Sequence, residues 1–278
     1  MVDEYYLLGE DVSASLSPVM MRAAFEITGV DARYQALSVP RGEFRGRFID
    51  LLPRARGMNL TIPYKSEVLT LLDSLDEVSS RISAVNVVKS SGGRYHGYNT
   101  DVLGITVPLR ELAGAPVEHA LLIGAGGAAR AFCEAMSQMG CSRITVATRD
   151  LKKGREFAGE MAAIFRAIAF EARAFDGLGG CDAGLVFNAT PLGGAGAAAL
   201  PEPVKRVIYG QQTVFDAVYR PMRTELLKTA EERGCRVIHG YEMLLNQGTA
   251  AFEIWTGTKA PRQTMRTALL GALEGGSS

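Results

Sequence analysis

At 278 residues, 47% of them hydrophobic and 22% charged, the chain is long enough to bury one or two sizeable cores. Its formal net charge is zero, which gives no electrostatic case for a nucleic-acid partner or an acidic membrane surface. No charged-then-apolar leader opens the sequence, and no apolar run is long enough to span a bilayer, so a cytoplasmic location is expected.

Periodicity places the elements in chain order. Tyr5 to Gly9 reads as a strand, Pro18 to Thr28 as a helix, Tyr34 to Val39 as a strand and Phe44 to Leu52 as a helix. A strand from Met58 to Leu60, a helix from Pro63, and strands at Val85 to Lys89 and Tyr95 to Tyr98 complete a first α/β domain. Asp101 to Leu112 is expected to be a linking helix, and a βαβ series runs from His119 to about Gly240. Helical patterns at Tyr241 to Trp255 and Arg262 to Glu274 close the chain, before a Gly-Gly-Ser-Ser ending that is expected to be loose. The small-residue stretch from Gly193 to Ala199 reads as a mobile loop near a nucleotide. Cys133, Cys141, Cys181 and Cys235 form no C-x-x-C, and His96, His119 and His239 are equally scattered. Reduced bystander thiols and no structural metal are expected.

The run Gly57-Met58-Asn59-Leu60-Thr61-Ile62-Pro63-Tyr64-Lys65 is the most informative local feature. Pro63 suits the first position of a helix, with Thr61 placed where a cap could form. Lys65 would then stand in the first turn, near the positive end of the helix dipole, while Asn59 and Thr61 project from one face of the preceding strand. A lysine there is an odd choice for stability, although a lone lysine is usually just solvated.

Ala120-Leu121-Leu122-Ile123 reads as a buried parallel strand and leads directly into Gly124-Ala125-Gly126-Gly127-Ala128-Ala129. This is G-x-G-x-x-A in its strand–turn–helix setting, where bare backbone lets a pyrophosphate reach a helix N-terminus. The next strand, Arg143 to Ala147, ends in Thr148-Arg149-Asp150. An acid usually binds the ribose 2′-hydroxyl of NAD at this place. Arg149 offers a planar fork of donors for a 2′-phosphate instead, so NADP is favoured over NAD. Asp150 could partly neutralise that arginine or reach a ribose hydroxyl, and Lys152 and Lys153 are either further charge for the phosphate or solvated helix lysines. Asn188-Ala189-Thr190-Pro191 closes a strand at the carboxyl end, where ligands gather in parallel sheets.

Taken together these segments resemble the shikimate dehydrogenase family. Its patterns S-x-S-P, N-x-T-x-P-x-K, A-V-N, N-T-D-x-x-G, G-A-G-G-A-x-R, N-A-T-P-x-G and G-x-x-M-L-x-x-Q all occur here in order, over nearly the whole chain. The resemblance implies an α/β protein with two lobes. Residues 1–103 would form a substrate-binding and catalytic domain and 104–240 an inserted Rossmann-like domain. The helices of 241–278 would return to the first lobe, with the site in the cleft between the lobes.

The resemblance also implies the site. Lys65 and Asp101 would be the ionisable pair beside the reacting hydroxyl. Ser15, Ser17 and Tyr219 would bind the substrate carboxylate, and Asn59, Thr61, Asn86, Asp101 and Gln247 would surround the ring hydroxyls. Gly124 to Ala128, Thr148, Arg149 and Thr190 would hold the dinucleotide, with Ala217, Gly240 and Met243 beside the nicotinamide. Other roles remain open. Ser15 and Ser17 could cap the helix at Pro18, Asn86 and Asn99 could be turn residues, Tyr219 could pack at a strand edge, and Met243 could be core.

Hydride transfer at a secondary alcohol requires one group to trade a proton with the oxygen. Burial and a helix terminus disfavour a charged Lys65 and an adjacent carboxylate favours it. Neutrality near pH 7 would need about 4 kcal/mol against that pull. A charged Lys65 donating to the forming alkoxide is the simpler reading. The expected activity is NADP-dependent interconversion of shikimate and 3-dehydroshikimate. A quinate/shikimate dehydrogenase using NAD or NADP is the near alternative, and a non-catalytic NADP-binding regulator the alternative of another class. A methylene-tetrahydrofolate-type dehydrogenase fits the hydroxyl-rich Ser15, Ser17, Thr61 set poorly. The sequence shows no coiled-coil pattern from which an oligomeric state could be read.

Overall fold

A computed structural model of the chain describes residues 2–112 and 117–275, which divide into two units: Met1–Gly104 with Leu244–Ser278, and Ile105–Met243. The first unit begins with β1 (Asp3–Gly9), α1 (Ser17–Thr28), β2 (Ala32–Ser38), α2 (Phe44–Leu51) and β3 (Ala55–Leu60). It continues with β4 (Ser74–Leu75), α3 (Glu77–Ile82), β5 (Val87–Ser91), β6 (Arg94–Tyr98) and the start of α4 (Asp101–Leu112). Its sheet has the order β2-β1-β3-β5-β6-β4. β1 lies parallel to β2 and β3, while β5 is antiparallel to β3 and β6.

Alternation along β1 explains the two cores. Tyr6 and Leu8 join Phe44, Phe48, Leu51, Met58 and Tyr64 on one face. Tyr5 faces the other way, against Phe25 and Trp255. The indole of Trp255 donates to Val88 O at 3.0 Å, fastening the last helices to this sheet.

The second unit carries the remainder of α4, then β7 (His119–Ile123), α5 (Gly127–Gln138), β8 (Arg143–Thr148), α6 (Leu151–Ile164) and β9 (Ala169–Ala174). β10 (Leu185–Asn188), α7 (Glu202–Arg206), β11 (Thr213–Asp216), α8 (Glu225–Glu232) and β12 (Arg236–Ile238) follow. All pairings are parallel, in the order β12-β11-β10-β7-β8-β9. The strand order reverses between β7 and β10, so the crevice for a dinucleotide opens at their carboxyl ends. The chain closes with α9 (Gly240–Thr256) and α10 (Arg262–Glu274).

One local expectation needs correction. No α-helix starts at Pro63: residues 62–66 form turns around a cis Ile62–Pro63 bond and lead into a short 3-10 helix, Glu67–Leu71. Burial of Tyr64 decides the path. Its ring stacks on Phe44 at 4.0 Å and its hydroxyl donates to Val39 O, so packing wins over local helix propensity. Thr61 is therefore no helix cap, and Lys65 sits in a turn rather than in the first turn of a helix. β11 stops at Asp216, which leaves Ala217 and Tyr219 in the segment that follows it. The segment at 193–199 is a turn closed by Gly193 N–H donating to Ala198 O and Ala195 N–H to Arg220 O. Of the ending expected to be loose, residues 276–278 lie outside the described residues.

Candidate active site

In the first unit the turn after β3 and the first turn of α4 bring Lys65 to Asp101. Lys65 Nζ donates to Asp101 Oδ2, and the side chains are only 12% and 5% exposed. Both backbones are held. Val85 N–H donates to Lys65 O at 2.8 Å, and Asp101 N–H to Asn99 Oδ1 at 3.1 Å. Asp101 in the first turn of α4 also suits that helix's dipole.

Asn86, buried between β3 and β5, binds the second carboxylate oxygen. Its Nδ2 donates to Asp101 Oδ1 at 2.9 Å and Thr100 Oγ1 at 3.0 Å and faces Gln247 Oε1 at 3.4 Å, while its Oδ1 accepts Thr100 N–H at 2.7 Å. Asn86 is thus a network centre as well as a turn residue. Thr100 belongs to the same network and carried no sequence signal of its own beyond the N-T-D run. Gln247 is anchored by its Nε2 donating to Leu244 O. The Thr61 methyl packs over Gly9, and its hydroxyl has no hydrogen-bond partner among the described residues.

Two of the expected substrate ligands are already engaged. Asn59 Oδ1 accepts the Tyr34 hydroxyl, and its Nδ2 donates to Asn86 O. Ser15 is half-buried, with its Oγ accepting Ser17 N–H at 3.2 Å. Helix α1 has Leu16 at its cap position and no side-chain capping bond, so neither serine caps it in the ordinary way. The Ser15 hydroxyl keeps its donor.

In the second unit Gly124 and Thr190 meet at the strand-order reversal. Gly124 has φ +110°, and a Cβ there would lie 2.7 Å from Thr190 Cγ2. Only glycine fits. The following turn, Ala125 to Ala128, enters α5, whose N-terminus has no side-chain cap. A phosphate would find bare amides and a positive dipole there, so the residues present fit a dinucleotide.

At the end of β8, Thr148 turns its hydroxyl to Asp150 O at 2.9 Å. Asp150 caps α6, accepting Lys152 N–H and Lys153 N–H, and does not pair with its neighbour. Arg149 is exposed with no ion-pair or hydrogen-bond partner among the described residues. Lys152 lies 4.0 Å from Glu156 on the helix face.

The Thr190 hydroxyl donates to Asn188 Oδ1 at 2.7 Å, and Asn188 Nδ2 donates to Asp216 Oδ1 at 2.9 Å. Asp216 also accepts Val218 N–H and the Thr224 hydroxyl. This buried carboxylate ties the turn of Thr190 to the turn carrying Ala217 and Tyr219. An acid closing the apolar run Val214-Phe215 was its only sequence signal. Tyr219 is half-buried and has no hydrogen-bond partner among the described residues. Met243 is buried. Gly240 lies so close to Ala217 and Val218 that a Cβ would sit 2.4 Å from Val218 O.

Residues 7–88 match the family model for the shikimate dehydrogenase substrate binding domain, 110–177 that for shikimate / quinate 5-dehydrogenase, and 240–270 that for the shikimate 5′-dehydrogenase C-terminal domain. Shikimate dehydrogenase (NADP(+)) of Nitrosopumilus maritimus is 38% identical over 275 residues, which cover 96% of this chain and 98% of that protein. The chain belongs to the shikimate dehydrogenase family. Among solved structures, shikimate 5-dehydrogenase of Thermus thermophilus in complex with NADP(H) and shikimate superposes with TM-score 0.85 at 33% identity. That match covers 98% of this chain and 100% of the other. Quinate dehydrogenase of Corynebacterium glutamicum in complex with NAD gives TM-score 0.87 at 28% identity, covering 97% and 99%.

The four thiols are free, and three of them are buried. Burial pushes the thiol pKa of Cys133 and Cys141 up, which keeps them protonated. His119 is held between Asp182 and Thr145, and burial lowers its pKa. Among the described residues no group of three or more His, Cys, Asp or Glu could hold a metal, and no helix is long and apolar enough to cross a membrane.

Asp216 is different, because burial pushes its pKa up to about 6 against the pull of Thr224, Val218 and Asn188. A folded-state value above the unfolded 3.8 means that the folded chain binds this proton more tightly, so stability rises as pH falls through about 6 toward 3.8. The difference amounts to about 3 kcal/mol. Asp216→Asn should remove that part of the pH dependence. In denaturant unfolding, wild type should gain on the variant between pH 7 and pH 5, whereas a constant difference would refute the assignment.

Proposed function

We infer that this chain is an NADP-dependent shikimate dehydrogenase that reduces 3-dehydroshikimate to shikimate and catalyses the reverse oxidation. The observation that carries the reading is the buried Lys65–Asp101 pair with Asn86 on its second oxygen. A buried ion pair of this kind is weak evidence for stability, and a role in chemistry accounts for it better. The chemistry that bound NADP supplies is hydride transfer to or from the alcohol carbon.

Lys65 donates a proton to the oxygen as ketone becomes alcohol and takes it back in the oxidation. Asp101 holds the ammonium in place, and Asn86 fixes the carboxylate. Thr61, Gln247 and the remaining N–H of Asn59 offer hydrogen bonds to ring hydroxyls. Ser15, Ser17 and Tyr219 offer donors to a carboxylate. Such donors reject analogues that would leave them unpaired. Gly124 to Ala128 bind the pyrophosphate, Arg149 the 2′-phosphate, and Ala217, Gly240 and Met243 line the nicotinamide. Thr148 and Thr190 act by shaping these turns, since both hydroxyls are bonded internally.

Initial rates with shikimate or quinate, each with NADP or NAD, test the reading. Turnover dominated by shikimate with NADP is expected. Dominant quinate or NAD turnover would move the chain to the quinate/shikimate branch, and NADP binding without turnover would make it a regulator. Arg149→Ala should cost the NADP reaction roughly tenfold to a hundredfold in kcat/KM, the worth of one or two charge-assisted hydrogen bonds, and leave the NAD reaction unchanged.

A further inference from the structure

Asn59 has the residue type and position of a substrate ligand, yet both ends of its side chain are bonded within the protein. It is 5% exposed on β3. Its Nδ2 donates to Asn86 O at 3.1 Å. A carbonyl oxygen can only accept, so this contact fixes which way round the amide lies. Asn59 Oδ1 must then face Tyr34, whose hydroxyl has to be the donor in the 2.7 Å bond.

Asn86 O takes a second donor from Leu60 N–H at 2.9 Å, and Asn86 N–H donates to Tyr98 O. The peptide of Asn86 is thus clamped from both sides just where its side chain reaches Asp101 Oδ1. Tyr34 stands on β2, with its ring against Trp255 at 6.2 Å, so the hydroxyl is aimed by packing.

We propose that Tyr34 is a positioning residue of the active site, acting through Asn59 on the Asn86 peptide and so on the carboxylate that holds Lys65. Asn59 is the intermediate of this relay, and its primary duty is to Asn86. As regards catalysis the proposal rests on the shikimate dehydrogenase reading. The relay itself is a property of the ligand-free chain.

Tyr34→Phe removes the hydroxyl and keeps the ring against Trp255. Its kcat/KM for shikimate should fall about tenfold, through both a lower kcat and a higher KM for shikimate, with KM for NADP unchanged. Loss of folded protein alone would lower kcat and leave both KM values as they were, and that result would overturn the proposal. In an Asn59→Ala background Tyr34→Phe should cost nothing more, because the relay is already cut. The same tenfold loss in that background would mean that Tyr34 acts by another route.

Amide NMR of the ligand-free proteins decides the relay without substrate. The Asn86 and Thr100 N–H signals should move in Tyr34→Phe, and stationary signals would overturn the proposal even if shikimate proves not to be the substrate. Failure of wild type to turn over shikimate with NADP would refute the functional reading and leave this spectroscopic test standing.

Discussion

Lys65→Met should lower kcat about a thousandfold, within the range for loss of a positioned proton donor, and leave NADP affinity unchanged. Methionine keeps the length and bulk of the lysine stem, so what is lost is the ammonium. Stability should fall as well. Asp101 is 5% exposed, and removing its cation leaves a carboxylate with Asn86 as its remaining side-chain donor, a change costing roughly 3–5 kcal/mol. The two effects can be separated. Lys65→Met with Asp101→Asn leaves a neutral pair in which Asn86 Nδ2 still has an acceptor, so the double variant should regain most of the stability and none of the activity. Turnover by Lys65→Met within tenfold of wild type would remove Lys65 from the reaction. Unaltered NADP binding with no wild-type turnover to lose would identify a regulator.

The sequence announced the frame better than the contacts, for a physical reason. Apolar period reports which face of an element is buried, and it located β7, β8 and α4 to within a residue or so. It could not foresee the turn at Pro63, because that path is set by the stack of Tyr64 on Phe44, two residues twenty apart in the chain. Local capping rules pointed to a helix, and tertiary packing overrode them.

The site divides in the same way. Lys65, Asp101 and Asn86 were legible from ordered motifs, and the structure brings them into contact. Asn59 was legible as a polar residue facing the right way, but its partners Tyr34 and Asn86 lie on other strands. Asp150 looked like a rival to Arg149 and turns out to cap α6. No one-dimensional pattern distinguishes a carboxylate that binds a ligand from one that binds the next turn of backbone. Asp216 went unremarked for the same reason: its importance lies in the Asn188 and Thr224 side chains that reach it from other segments.

Gly240→Ala should damage use of the cofactor. The added Cβ would lie 2.4 Å from Val218 O, 2.5 Å from Val218 C and 2.7 Å from Ala217 O, all backbone atoms. That backbone cannot easily yield. Asp216 Oδ1 holds Val218 N–H at 3.0 Å, and Asn188 O holds Ala217 N–H at 3.0 Å. The start of α9 must therefore shift away from the turn, at a stability cost of about 1–3 kcal/mol. If Ala217, Gly240 and Met243 line the nicotinamide as proposed, a shift of about 1 Å there could cost a hundredfold in kcat/KM for NADP. Arg149 and the Gly124 turn lie on other elements, so adenosine 2′,5′-bisphosphate should bind the variant as it binds wild type. Parallel loss of that fragment's affinity would mean that the whole nucleotide unit has been disturbed. Unchanged kinetics would mean that the α9 terminus can move freely, and Gly240 would then have no part in holding the nicotinamide.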